Sequence, residues 1–190
     1  MFEDIMIDLE TFSPRYDAAI ASIGAIRFNR NGDDRELFEK IFKDGQTHLI
    51  TSDRFFEIPI VADKGHIDPE TVRWWLQQSK QAQNSIANAV VGEEEALKLF
   101  ANWLGSTRGY KIWAKSPSAD CVWLTNAFER NEMKVPWDFR SEQDVRTVQT
   151  VARDVSGKSI KEWKLEGAHS AIVDCALQVY QVQESFRMMR

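Results

Sequence analysis

Five residues carry types that can do chemistry together: Asp8, Glu10, Asp120, His169 and Asp174. Asp8 and Glu10 close the apolar run Ile5-Met6-Ile7 as an Asp-Leu-Glu step. His169 and Asp174 frame His-Ser-Ala-Ile-Val-Asp near the C-terminus, and Asp120 lies between, after a second short apolar run. Four carboxylates and one imidazole are the inventory of a two-metal phosphodiesterase. The acids hold two divalent ions, Mg²⁺ or Mn²⁺, and the imidazole takes a proton from the attacking water.

No single spacing proves this. Roughly one Asp-x-Glu is expected by chance in a chain of this composition. The His-x4-Asp spacing recurs at His48 and Asp53. Context separates the cases. Two acids on one face of a buried strand repel each other and cost several kcal/mol to desolvate unless a cation sits between them. His169 precedes the small-residue start of a helix, which puts Asp174 in its first turns. Nothing comparable follows His48, so His48 and His66 read as surface or loop histidines. Asp120 also suits a helix start as an acid favoured by the dipole.

The elements that must position these residues follow from periodicity. About Phe2 to Leu9 reads as a strand with Met6, Asp8 and Glu10 on one face. Ala19 to Phe28 reads as a second strand, with Gly24 inside it. Asn31-Gly32-Asp33 signals a turn, and Leu37 to Phe42 reads as a third strand, completing an antiparallel meander. Asp68-Pro69 opens a helix to about Ser79. Gly92 to Leu104 is a second helix, acidic at its start. Tyr110 to Ala114 is a short buried strand. Ser116-Pro117 begins a helix with Val122, Trp123, Ala127 and Phe128 on its inner side. A short strand or helix start near Val145 leads into a helix to about Val155. Ser170 can cap the last helix, which buries Ala171, Cys175, Val179, Val182 and Phe186. Three antiparallel strands followed by alternating helices and strands make a mixed α/β, three-layer arrangement.

At 190 residues, without linker or repeat, the chain reads as one domain over 1–190. The N-terminus lacks the basic region of a signal peptide, and no apolar run approaches the ~20 residues of a membrane span. Cys121 and Cys175 are too few for a disulfide framework or zinc site and read as reduced and buried, so a cytoplasmic protein is expected. The net charge of −5 argues against a broad basic nucleic-acid face. It does not exclude a small two-metal site, which adds about four positive charges locally.

The order of these residues resembles the DEDDh 3′→5′ exonucleases, named for four acids and a His, and within them the short bacterial and phage exonucleases and exoribonucleases. The resemblance runs over nearly the whole chain and includes Trp74-Trp75, Pro136-Trp137 and Asp144-Val145-Arg146-Thr147. It departs at Trp113-Ala114-Lys115-Ser116-Pro117-Ser118-Ala119, where a Gly or Asn and then an aromatic residue would lead into the third acid. The resemblance implies a ribonuclease-H-like fold and release of 5′-mononucleotides from single-stranded 3′ ends. It implies one metal on Asp8, Glu10 and Asp174, a second on Asp8 with Asp120, and His169 as base. A homodimer is also implied. RNA is favoured over DNA. The alternatives are an exodeoxyribonuclease acting on single-stranded DNA and, from another class, a non-catalytic ribonuclease-H-like binding module. Arg15 and Lys115 are candidate phosphate contacts, and Arg146 either pairs with Asp144 or contacts a phosphate. Of Trp74 and Trp75, adjacent on a helix, one is expected in the core and the other is available to stack on a base.

Overall fold

A computed structural model describes residues 3–36, 38, 53–106, 109–161 and 169–190. Among the described residues six strands form one sheet: β1 (Asp4–Thr11), β2 (Ile20–Phe28), β3 (Phe55–Val61), β4 (Val91–Gly92), β5 (Lys111–Ala114) and β6 (Glu142–Asp144), in the order β4-β3-β2-β1-β5-β6. β1, β2 and β3 are antiparallel neighbours, whereas β5 joins β1 in parallel and β6 joins β5 in parallel. The meander and the mixed sheet are as the periodicity implies, with one change of residues. Its third strand is Phe55–Val61. Of the stretch expected there, 37–42, only Phe38 is described, and it is helical; the rest lies outside the described residues, as does His48.

Strand alternation splits the interior into two cores. Ile5, Ile7 and Leu9 of β1 pack with α3 (Glu93–Leu104) and α4 (Pro117–Arg130). Met6 packs on the other side with Ile26, Phe28, Trp113 and the buried stripe of α6 (Ala171–Met188), and Val145 at the head of α5 (Val145–Ser156) joins them. The sheet is therefore covered on both faces, which gives the three layers. Acids at even positions of β1 face α6.

The expected helices form, with local differences. α1 (Pro69–Leu76) begins at Asp68, whose carboxylate accepts the Thr71 N–H at 2.9 Å. It stops short of Ser79, because that residue caps a new helix, α2 (Lys80–Ala87). On α4 the inward residues are Asp120, Cys121, Leu124, Ala127 and Phe128; Val122 points outward, 38% exposed. The 3.6-residue period places it on the solvent side of that stripe, whatever its hydropathy. Cys121 and Cys175 are free and buried. No helix among the described residues is long and apolar enough to cross a membrane.

Candidate active site

β1 brings Asp8 and Glu10 to its C-terminal end on the face toward α6. In the ladder Asp8 lies opposite Gly24 of β2. A Cβ on Gly24 would stand 2.5 Å from the carbonyl carbon of Ala171, so the glycine lets the first turn of α6 lie directly on the sheet. Asp174 sits in that turn. His169, just ahead of it, holds a left-handed backbone (φ 70°), and its N–H donates to Asp174 Oδ2 at 3.1 Å. One ligand atom each from Glu10, His169 and Asp174 lies within 4.8 Å of the others.

Asp120 arrives from the opposite face. The β1–β5 pairing ends at Met6–Trp113. Beyond it, Asp120 Oδ1 accepts the Leu9 N–H at 3.2 Å from the first turn of α4, which fixes the acid beside Asp8 and Glu10. It is 6% exposed and Glu10 is 9% exposed.

These carboxylates meet no cation at ion-pair distance among the described residues, and their acidities show it. Burial, and then the charges of Asp174 and Asp120, push Glu10 up to about 8. Burial pushes Asp120 up to about 7 against the pull of the Leu9 N–H. Asp8 is raised well above the ordinary range by burial and by Asp120, Asp174 and Glu10. Asp174 is raised by burial, against the His169 N–H, the His169 ring and Lys115. Crowded oxygen donors of this kind, with an imidazole, suit a hard divalent cation: binding one removes both the repulsion and the desolvation cost.

The two tryptophans divide as expected. Trp75 is buried, and its Nε1 donates to the Thr11 carbonyl at 3.0 Å. Trp74 is 40% exposed and stands edge-on to both Trp75 and the His169 ring, whose centroid is 4.7 Å away. A cleft of about 270 Å³ opens beside Glu10, walled by Trp74, Trp75, Trp123, Ser13, Pro14 and Thr71.

The basic candidates have different settings. Arg15 follows β1, and its exposed guanidinium pairs with Asp17 at 2.9 Å. Lys115 follows β5, and its charge lowers Asp174. Arg146 does not pair with the Asp144 side chain through its guanidinium. Asp144 caps α5 by accepting the Arg146 backbone N–H, while Arg146 Nη1 donates to Ser116 Oγ at 2.6 Å, at the start of the helix bearing Asp120. His66 is the loop histidine expected, its Nδ1 hydrogen-bonded with Ser13 Oγ at 2.8 Å.

Three residues at the site escaped the sequence reading. Gln178, 2% exposed, donates from Nε2 to Asp8 Oδ1 at 2.7 Å. It lies four residues after Asp174 on one helix face, a spacing that could have found it. Trp123 Nε1 donates to the Arg15 carbonyl at 2.7 Å, and the ring faces the cleft rather than only the core. Glu57 of β3 accepts the hydroxyl of Ser170, which sits at the N-cap of α6 but makes no side-chain cap of its own. No local pattern marks Glu57, because its partner is 113 residues away.

Comparison with known proteins places the chain among nucleases. An exodeoxyribonuclease of Enterobacteria phage T4 is 24% identical over 97% of this chain and 89% of its own length. The solved structure of cell-death related nuclease 4 (CRN-4) superposes with a TM-score of 0.64 at 15% identity, over 98% of this chain; this chain spans only 64% of that one. The nuclease domain of 3'hExo, a DEDDh family member solved with rAMP, superposes with a TM-score of 0.55 at 11% identity, over 98% of this chain and 92% of that one. The fold is thus the ribonuclease-H-like fold of the DEDDh exonucleases, a group that generally uses divalent metal ions and acts on nucleic-acid 3′ ends. The 3'-5' exoribonuclease Rv2179c-like domain matches residues 3–186; the chain belongs to this family and is a 3′→5′ exonuclease, a phosphodiester hydrolase and not a mere binding module.

Proposed function

We propose that the chain is one exonuclease domain that shortens single-stranded nucleic acid from the 3′ end to 5′-mononucleotides by a two-metal mechanism, with RNA favoured over DNA. The observation that carries this reading is the convergence of Glu10, His169 and Asp174 donor atoms within 4.8 Å, beside Asp8 and Asp120, with no ion pair to these carboxylates among the described residues. Asp8, Glu10 and Asp174 would hold one Mg²⁺ or Mn²⁺, and Asp8 with Asp120 a second. Bound there, the ions would stabilise charge on the attacking and leaving oxygens of an in-line displacement.

The rest is the work of the chain's own residues. His169 takes the proton of the attacking water, its ring held by the edge of Trp74 and its backbone by Asp174. Gln178 keeps Asp8 turned toward the site. Trp74 offers an exposed ring in the cleft, on which an unstacked terminal base can lie. Arg15, Lys115 and Arg146 are the proposed phosphate contacts, and of these Lys115 and Arg146 have charges felt by the acids.

RNA is favoured by the family's exoribonuclease name, and DNA by the name of the T4 relative. A time course on matched end-labelled RNA and DNA oligonucleotides, with Mg²⁺ and with Mn²⁺, tests the reading. Faster 3′ shortening of RNA is expected. A 3′-phosphate should block it and a 5′ block should not. Equal or faster loss of DNA would reverse the substrate assignment. The homodimer is carried by resemblance alone, and light scattering at twice the monomer mass would support it.

A further inference from the structure

Among the described residues three α-helices are capped by their own N-cap side chains: α1 by Asp68, α2 by Ser79 and α5 by Asp144. α6 is not, although it begins with a serine well suited to the task. Ser170 is turned away from its own helix, and its hydroxyl donates to Glu57 Oε1 at 3.1 Å. The Glu57 carboxyl also lies within electrostatic reach of the Ile172 N–H, which pulls its pKa down against burial. The N-cap residue of α6 is therefore tied to a strand of the sheet rather than to its own helix.

The row of residues beneath this contact explains its reach. Asp8, Gly24 and Glu57 are aligned across β1, β2 and β3. Gly24 lets the Ala171–Ile172 backbone rest on the sheet. One neighbour of Gly24 in the row is the catalytic candidate Asp8, and the other is the clamp. The clamped segment, Ser170 to Ile172, is flanked by His169 on one side and Asp174 on the other. A cap from within the helix would stabilise α6 equally well but would not tie its start to the strand beside Asp8.

We propose that Glu57 is a positioning residue of the exonuclease site: it clamps the start of α6 to the sheet, and so sets where His169 and Asp174 stand against Asp8 and Glu10. This rests on the roles proposed above for His169 and Asp174. Glu57 is itself solvent-exposed, so truncating it opens no cavity in the core.

The test uses the full chain with four substitutions: Glu57→Ala, Glu57→Gln, Ser170→Ala and Asp174→Asn. Mn²⁺ binding is measured by calorimetry without substrate, turnover and KM on a short oligonucleotide, and melting in EDTA. Glu57→Ala should weaken Mn²⁺ binding or turnover by ~10–100-fold, the usual cost of losing a residue that orients a ligand. KM should change little. Glu57→Gln should recover most of the loss, since its amide oxygen can still accept the Ser170 hydroxyl. Ser170→Ala, which removes the same bond from its other side, should lose a similar amount. A merely structural Glu57 would instead lower the melting temperature while the folded protein kept its metal affinity and turnover. That result, or a Ser170→Ala protein equal to the parent, overturns the proposal even if Glu57→Ala itself fails to fold. Asp174→Asn separates the two readings. If it loses Mn²⁺ binding and turnover while Glu57→Ala keeps them, only the clamp is wrong. If Asp174→Asn keeps both, the site assignment falls and the clamp with it.

Discussion

Strand β1 carries acids at both ends of one face, and the two ends are built differently. At its start Asp4 is fully buried, yet Arg30 pairs with it at 2.6 Å and Trp113 Nε1 donates to it at 2.7 Å. At its end Asp8 and Glu10 meet Asp120 and Asp174 instead, and every one of these carboxyls is raised. Glu93 repeats the first pattern: 1% exposed, it is held by Arg130 and Asn131, which ties α3 to α4. A buried carboxylate whose counter-charge comes from the chain is architecture. A cluster that meets no counter-charge among the described residues is suited to a cation from solution.

Exchanging charge at the two ends tests that contrast most strongly. Asp8→Asn should abolish detectable hydrolysis, because the one carboxylate assigned to both ions is lost. Its metal-free melting temperature should rise, because one repelling charge is gone. Asp4→Asn should do the reverse. It leaves Arg30 without its buried partner, a loss of ~3–5 kcal/mol for broken buried pairs, while turnover per folded molecule stays near the parent value. Near-native activity in Asp8→Asn would sink the two-metal reading.

Next in size is the base. His169→Ala should cut turnover by ~10²–10⁴-fold, the range for a general base. Mn²⁺ affinity, read by calorimetry, should hold. If affinity collapses with turnover, His169 is a ligand, an arrangement its distance from Glu10 and Asp174 permits.

Trp74→Ala should come third. Losing a base-stacking platform costs ~1–3 kcal/mol, which would show as a KM on single strands raised by ~5–150-fold. Trp75→Ala is the informative partner, since its ring is buried and hydrogen-bonded to Thr11; it should lower the melting temperature as well.

The smallest effect is the pH dependence of the metal-free fold. Glu10 at about 8 and Asp120 at about 7 bind protons more tightly folded than unfolded, where carboxyls titrate near ~4. The folded state therefore holds more protons between pH 4 and 8, and stability falls as pH rises through that window. Melting in EDTA should drop by several degrees from pH 5 to 8.5, given that ~1 kcal/mol moves a domain of this size by ~2–4 °C. Saturating Mn²⁺ should flatten the slope. A metal-free protein that grows more stable across this range would show that the acids are already balanced.

Much of this was readable from residue order. The two-residue step from Asp8 to Glu10 places both on one face wherever β1 forms, and Asp68-Pro69 opens a helix by purely local capping. The third strand was not readable. Phe55–Val61 carries Glu57 and Pro59, and a proline inside an apolar run argues against a strand with neighbours on both sides. It is tolerated there beside the two-residue β4, which pairs only with Ile60 and Val61. The role of Ser170 was misjudged for a related reason. Its type predicts a cap for its own helix, and only the approach of β3 offers its hydroxyl a better acceptor.

By itself, the sequence determined most of the elements and the chemical inventory: periods of 2 and 3.6, local caps, four acids and a histidine, because these depend on residues a few positions apart. The tertiary structure alone decided which acids are answered by cations and which are not. Asp4 and Asp8 are the same residue on the same face of the same strand. Arg30 reaches one from the end of β2, while Asp120 and Asp174 reach the other from α4 and α6. Charge balance at a buried carboxylate is a sum over neighbours drawn from separate elements of the chain, and only the fold carries out that sum.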